Sequence, residues 1–392
     1  MFSVLRSLSR RRWLTGAHSF LAGGAVAQAQ SGSPATRPHC YSAYDREWTW
    51  PVPLDAERRR ELPAYSTRQY FLDQAASVRP ALRFQPGRHD IGGWQRELRA
   101  ELSKRLALDM QTKSPLSARV LSVEKFPGCR VEKIVYQSEP GVSVPSLLYL
   151  PDKLRAPERT LIHCHGHGSG PDHPLYSYKL EFVKRGYVVF APEVRDFGQR
   201  AFGKPGGMAC DRTYKLAALL GKNIAGLRLW DFLRAIDYLE TRPEVDRRRI
   251  ACGGLSLGGE LAMLLAALDE RIRASFISGF LSTYDALMFQ KNNCICYTIP
   301  GIMALCRMSD IAGLIAPRPV VIQTGTRDNP VPTAGAQQAF RELQEIYRAA
   351  RAADNAVIDI FEGVHEFHGD VTFAEFDRWL KPASPKKQDS NG

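Results

Sequence analysis

Between residues 160 and 363 the chain repeats one theme, a short apolar run followed by a longer helical stretch. The runs are TLIHCH (160–165), YVVFAPEV (187–194), RIACGG (249–254), ASFISGF (274–280), PVVIQTG (319–325) and AVIDIFEG (356–363). Helical patterning separates them around 175–185, over NIAGLRLWDFLRAIDYLE (223–240), from Glu260 onward and over 333–352. Apolar runs without polar alternation belong to strands buried on both faces, and parallel neighbours need a long crossover between them. The alternation therefore predicts an α/β fold, a mostly parallel sheet covered by helices on both faces. Ahead of it, RVLSVEKF, RVEKIVYQS and VSVPSLLYL (119–150) predict three strands joined by tight turns. Residues 282–316 follow neither period and read as an irregular insertion.

The flanks differ in character. Residues 30–54 are Pro- and Trp-containing irregular chain. From 55 to 110 the pattern turns helical, with Trp94, Leu98, Leu102 and Leu106 at helical spacing, a packing stripe. The chain thus divides into an N-terminal arm (30–116), a catalytic domain (117–382) and a polar tail (383–392). Residues 1–29 hold four arginines and no acid, and SRRRWLTG is similar to the twin-arginine export pattern. An uncharged stretch follows, then AVAQAQ offers small residues for cleavage, so this segment predicts a removable signal and a periplasmic or secreted protein.

That segment carries four of the twelve net positive charges. The other basic runs, ERRRE (57–61) and DRRRI (246–250), are flanked by acids or lead into a strand, and no basic groove with interleaved aromatics appears, which argues against a nucleic-acid partner. No apolar run reaches the length of a membrane span. The eight cysteines form no framework. Cys164 and Cys252 sit in apolar runs, and Cys294 and Cys296 lie two apart without a second pair at metal-ligand spacing.

Chemistry concentrates at GGLSLGG (253–259), where Ser256 stands between Gly254 and Gly258. It follows an apolar strand and precedes the helix ELAMLLAAL, so it sits on a sharp strand-to-helix elbow that tolerates only small neighbours two residues away. A serine hydroxyl needs a base, and the base needs a carboxylate to hold its tautomer. His365, in FEGVHEFHG, lies past the last strand, and Asp328, in TRDNPVP, past the strand before it. Asp285, after ASFISGF, is the competing acid. Leu257 N–H, one residue beyond the nucleophile, is the first oxyanion donor, and the CHGHGSG turn (164–170) supplies the second from His167, with Gly168 as competitor. His173, Glu366 and Asp285 are candidates for the substrate pocket.

With these residues in place, the chain from about 130 to 380 resembles the α/β-hydrolase fold. It is most similar to the acetyl-xylan-esterase and dienelactone-hydrolase branch, with prolyl-oligopeptidase-type cores as cousins. HCHGHG, KRGYVVFAPEVRDFGQR, RPEVDRRRIACGGLSLGGE, LIAPRP, TRDNPVP and GVHEFHG carry the likeness. The order Ser256, Asp328, His365 is the one such hydrolases use. Leu257 stands where the multi-ester deacetylases usually have Gln, and EVRDFGQ only approximates their R-G-Q loop. The resemblance implies an exported esterase for short acyl esters, acting on small-molecule or carbohydrate esters without metal or organic cofactor. Two other readings compete. His163, His165 and His167 alternate as in a metallohydrolase, but lack the aspartate that the metallo-β-lactamase pattern needs at 167. A peptidase of the prolyl-oligopeptidase type would carry a propeller, for which the arm is too short.

Overall fold

The computed structural model describes residues 67–154, 157–168, 170–202 and 210–381, all within one compact unit, 66–392. The export signal expected at 1–29, most of the arm ahead of residue 67 and the tail at 383–392 lie outside the described residues. Among those described, no helix is long and apolar enough to cross a membrane.

Among the described residues nine strands form one sheet: β1 Arg119–Phe126, β2 Cys129–Glu139, β3 Val142–Pro151, β4 Glu158–Cys164, β5 Val188–Pro192, β6 Val245–Leu255, β7 Ile272–Ser278, β8 Val320–Gly325 and β9 Ala356–Phe361. Their spatial order is β1-β2-β3-β5-β4-β6-β7-β8-β9. The first three run antiparallel, β3 joins β5 antiparallel, and the remaining pairs are parallel. The apolar runs of β5, β8 and the second half of β6 are buried throughout, whereas β1, at the antiparallel edge, is exposed along almost its whole length. From β4 the chain crosses to β5 on one side and returns to β6 on the other. The carboxyl ends of β4 and β6 therefore flank a switch point, where open parallel sheets bind ligands.

The helices cover the faces as the alternation predicts. Asn223 caps the helix Ile224–Leu239 by accepting from Ala225 N at 2.8 Å and Gly226 N at 3.2 Å. The helix Leu257–Leu268 is buried in all but its last residue. The helix Ile91–Arg105 is capped by Asp90, which accepts from Gly93 N at 2.7 Å. Its Trp94, Leu98 and Leu102, with Leu106, join the main core cluster alongside those two helices. This part of the arm is a core element rather than an appendage. A Cβ on Gly226 would stand 1.8 Å from Leu106 O, so the end of the helix Ile91–Arg105 and the start of the helix Ile224–Leu239 meet backbone to backbone.

The insertion departs from expectation. Instead of irregular chain it winds through short helical pieces at Asp285–Gln290, Ile295–Tyr297, Ile302–Leu305 and Met308–Gly313. Cys296, Ile299, Cys306 and Ile311 from the insertion are buried in the main core. Turns of three to six residues are too short to display a period in sequence. Two further helices, Cys210–Leu219 and Asp370–Trp379, also lay outside the sequence pattern.

Candidate active site

Strand β6 ends at Leu255 and the next helix begins at Leu257, which leaves Ser256 alone at the corner with φ 63° and ψ −124°. A non-glycine residue there costs about 1–3 kcal/mol and persists only where its surroundings enforce it. Two hydrogen bonds do so: Ser256 N donates to Ser278 O at 2.9 Å, and Glu260 N donates to Ser256 O at 3.1 Å. Neighbouring backbone explains the glycines. A Cβ on Gly254 would lie 2.2 Å from Cys164 O, and one on Gly258 2.0 Å from the same oxygen. The elbow thus presses the helix start against the end of β4. Leu257 opens the helix, where the first N–H groups have no helical carbonyl to bond.

The loops after β8 and β9 bring Asp328 and His365 together. Asp328 Oδ2 accepts from His365 Nδ1 at 2.9 Å, while Oδ1 accepts from Val331 N at 2.9 Å. The carboxylate is 1% exposed and the imidazole 21%. A carboxylate on the Nδ1 side puts the neutral ring's proton on Nδ1 and leaves Nε2 basic. His365 lies against Gly279, where a Cβ would meet Cε1 at 2.9 Å, and φ of 53° there also favours glycine. Gly279 directly follows Ser278, the acceptor of the Ser256 N–H, so imidazole and elbow share one stretch of backbone. Asp285 is not His365's partner: it is exposed and accepts from Gln290 Nε2 at 2.6 Å.

The turn after β4 closes over the elbow. A Cβ on Gly166 would stand 2.6 Å from Leu255 O and 3.4 Å from Ser256 Cβ, and Tyr176 OH anchors the turn by donating to His167 O at 2.8 Å. The three alternating histidines have separate surroundings. His163 is fully buried, its ring against Tyr176 and Tyr178, with neither nitrogen hydrogen-bonded. His165 has both nitrogens engaged: Nδ1 lies 2.9 Å from Gly166 O, and Nε2 accepts from Val194 N at 2.8 Å. Burial pushes it down to about 3, so it is a neutral bracket between this turn and the loop after β5. His167 turns instead toward Cys296 and Tyr297. His173 approaches Gly168 and uses Nδ1 to accept from Leu175 N at 3.2 Å, while exposed Glu366 accepts from Val364 N at 3.3 Å. Neither makes a hydrogen bond to Ser256 or His365.

Sequence reasoning missed Tyr297. It comes from the insertion, is nearly buried, and sets its hydroxyl 3.3 Å from Ser256 Oγ and 3.5 Å from His167 Nδ1. Burial, with Cys296 next in weight, raises its pKa well above the ordinary phenol range, so it stays a proton donor. No spacing rule marks a tyrosine in a segment without periodicity. Behind the turn, Arg195 binds Asp231 through Nε at 2.8 Å and Nη2 at 2.9 Å and reaches Glu139 at 2.6 Å, and Arg200 joins Asp231 at 2.8 Å. Glu193, raised to about 7 by burial, accepts from Arg200 N at 2.9 Å. These side chains hold the EVRDFGQ loop in shape.

The mixed sheet, its switch point and the strand–serine–helix corner define an α/β-hydrolase. More narrowly, the Abhydrolase family pattern matches residues 55–362, and the chain belongs to that family. It is 29% identical over 275 residues to the "Putative hydrolase YtaP" of Bacillus subtilis (strain 168), covering 66% of this chain and 90% of that one. Among solved structures it is similar to a "putative acetyl xylan esterase" from Bacteroides fragilis, with TM-score 0.66, 18% identity, and 82% and 91% of the two chains covered. It is also similar to a glucuronoyl esterase from Solibacter usitatus, with TM-score 0.56, 18% identity, and 78% and 100% covered.

Proposed function

We propose that this chain is a serine hydrolase of carboxylic esters, acting on short acyl esters of carbohydrate. Ser256 Oγ attacks the ester carbonyl while His365 Nε2 takes its proton, and Asp328 orients and stabilises the imidazolium. The oxyanion is held by the N–H groups of Leu257 and His167, with Gly168 the competing donor, and the Tyr297 hydroxyl adds a third. The tetrahedral intermediate expels the alcohol, which His365 protonates, and water then cleaves the acyl-enzyme by the same route in reverse roles. One well-placed oxyanion donor contributes about 2.7–4 kcal/mol to such a barrier.

The observation that carries this reading is the His365–Asp328 hydrogen bond, from two loops remote in sequence, beside a serine in a strained corner. Ser256 Oγ now faces Tyr297 OH, and a χ1 rotation brings it toward the base, since such contacts tighten once substrate is bound. The carbohydrate assignment rests on the structural relatives, one described as a "putative acetyl xylan esterase" and one a glucuronoyl esterase. The export signal read at 1–29 directs the enzyme to the periplasm or beyond, where polymeric sugar esters occur.

The test is a substrate panel of p-nitrophenyl acetate, butyrate and octanoate with acetylated xylan, run on the wild-type chain and Ser256→Ala. Expected are turnover strongest on acetate, acetate release from xylan, and loss of both in the variant. Retained turnover in Ser256→Ala rejects the mechanism, and octanoate preference rejects the substrate class.

A further inference from the structure

We propose that His167, Cys210, Cys294 and Cys296 form a closed tetrahedral site for a zinc-class cation, which ties the turn after β4 to the insertion. One ligand atom from each of the four lies within 4.8 Å of every other. Cys296 Sγ and His167 Nε2 are 3.4 Å apart. With zinc–sulfur bonds of about 2.3 Å and zinc–nitrogen bonds of about 2.0–2.1 Å, a tetrahedral site has sulfur–sulfur edges of about 3.8 Å and sulfur–nitrogen edges of about 3.6 Å. The four atoms reach those figures by small shifts, the Cys296–His167 edge lengthening slightly and any edge near 4.8 Å closing in.

The donor chemistry narrows the ion. Three thiols and an imidazole form a soft set of the kind structural zinc takes, and one that calcium and magnesium do not. Cys210 and Cys296 are buried, and the other two are partly so. Three thiolates around a dication leave one net negative charge, and a buried cation stands beside them. Arg228 is fully buried, binds Asp196 Oδ2 at 2.9 Å, and extends the same Nη2 to Cys210 Sγ at 3.2 Å. A guanidinium donating to a ligand sulfur is the outer-shell contact that steadies such sites. The free ring nitrogen of His167, Nδ1, faces Tyr297 OH at 3.5 Å, and that hydroxyl is 3.3 Å from Ser256 Oγ.

Four protein donors leave no open position, so the ion is structural and no step of the hydrolysis passes through it. It fastens three segments that secondary structure leaves unconnected: the turn after β4, the first residue of the helix Cys210–Leu219, and the turn Ile295–Tyr297. In sequence only Cys294 and Cys296 are neighbours, which is why spacing gave no metal pattern.

The experiment loads the full chain, purified under reducing conditions, with Zn²⁺ or Co²⁺ and measures bound metal by plasma mass spectrometry and the cobalt absorption spectrum. Expected are about one equivalent of metal per chain and the intense thiolate-to-cobalt charge-transfer and ligand-field bands of a tetrahedral thiolate site. Both should vanish in Cys294→Ser/Cys296→Ser and persist in Cys306→Ser, whose thiol is buried in the core outside the cluster. Should the double variant not fold, the wild-type cobalt spectrum decides alone. A wild-type chain without those bands overturns the proposal. So does a native mass short by two hydrogens with Cys210, Cys294 or Cys296 in a disulfide. Neither readout depends on ester hydrolysis, so this site and the proposed activity stand or fall separately.

Discussion

Ser256 holds a conformation that its neighbours impose and an isolated serine avoids, and the rest of the site is arranged around that corner. Replacing it by alanine should lower kcat by about a million-fold, as removal of the nucleophile does in another triad hydrolase. Asp328→Asn should lower kcat by about 10⁴ with KM little changed, because the amide stabilises the wrong tautomer of His365. Transfer of that sensitivity to Asp285→Asn would reassign the acid. Tyr297→Phe removes one hydroxyl near Ser256, and steady-state kinetics should show kcat falling by about 10²-fold with KM held, the mark of a contact made in the transition state. His165 gives a prediction in pH. Its folded value, about 3, lies below the ordinary value of 6.5, so its neutral form stabilises the fold above about 6.5, and that contribution is lost as pH falls from 6.5 toward 3. His163, also pushed well below 6.5 by burial, acts in the same direction. Urea midpoints should therefore fall on acidification through this window. His165→Gln should flatten the slope by about one proton's worth, 1.4 kcal/mol per pH unit. An unchanged slope would show that His165 is protonated in the native state.

At the scale of elements, crossings are set by atoms that are not there. The Gly258 Cα sits against Cys164 O with no room for a methyl, so Gly258→Ala should separate the helix from β4 and cost about 2–4 kcal/mol, read as a lower Tm. Leu98 is fully buried in the core, and Leu98→Ala should cost about 2–5 kcal/mol. A loss near zero would mean that the helix Ile91–Arg105 is an appendage after all. The same contrast explains what was legible in the sequence. The strands were visible because β5, β8 and their parallel neighbours are apolar along continuous runs, and Trp94, Leu98, Leu102 and Leu106 were visible because one helix face repeats. Ser256, Asp328 and His365 were legible because each follows its own strand, so the topology of the sheet places all three beyond the carboxyl ends of parallel strands. Tyr297 and the meeting of His167 with Cys210, Cys294 and Cys296 were not. These residues depend on how 282–316 folds back, and short helical turns leave no period to read. The missed helix Cys210–Leu219 brings Cys210 to that meeting.

Over the whole molecule, the order of the strands decides where chemistry is possible. The reversal at β4 places its turn beside the end of β6, while the loops after β8 and β9 deliver Asp328 and His365 from the same side of the sheet. The insertion then contributes Tyr297, whose hydroxyl faces Ser256 Oγ. In the proposed mechanism this arrangement activates Ser256 as a nucleophile. The most direct measurement treats the wild-type chain with a fluorophosphonate, which forms a stable adduct only with an activated serine, and maps the adduct by peptide mass spectrometry. The mechanism predicts stoichiometric modification of Ser256, loss of esterase activity in step with labelling, and no adduct in His365→Ala. An unmodified Ser256 in a chain that still hydrolyses esters would contradict it.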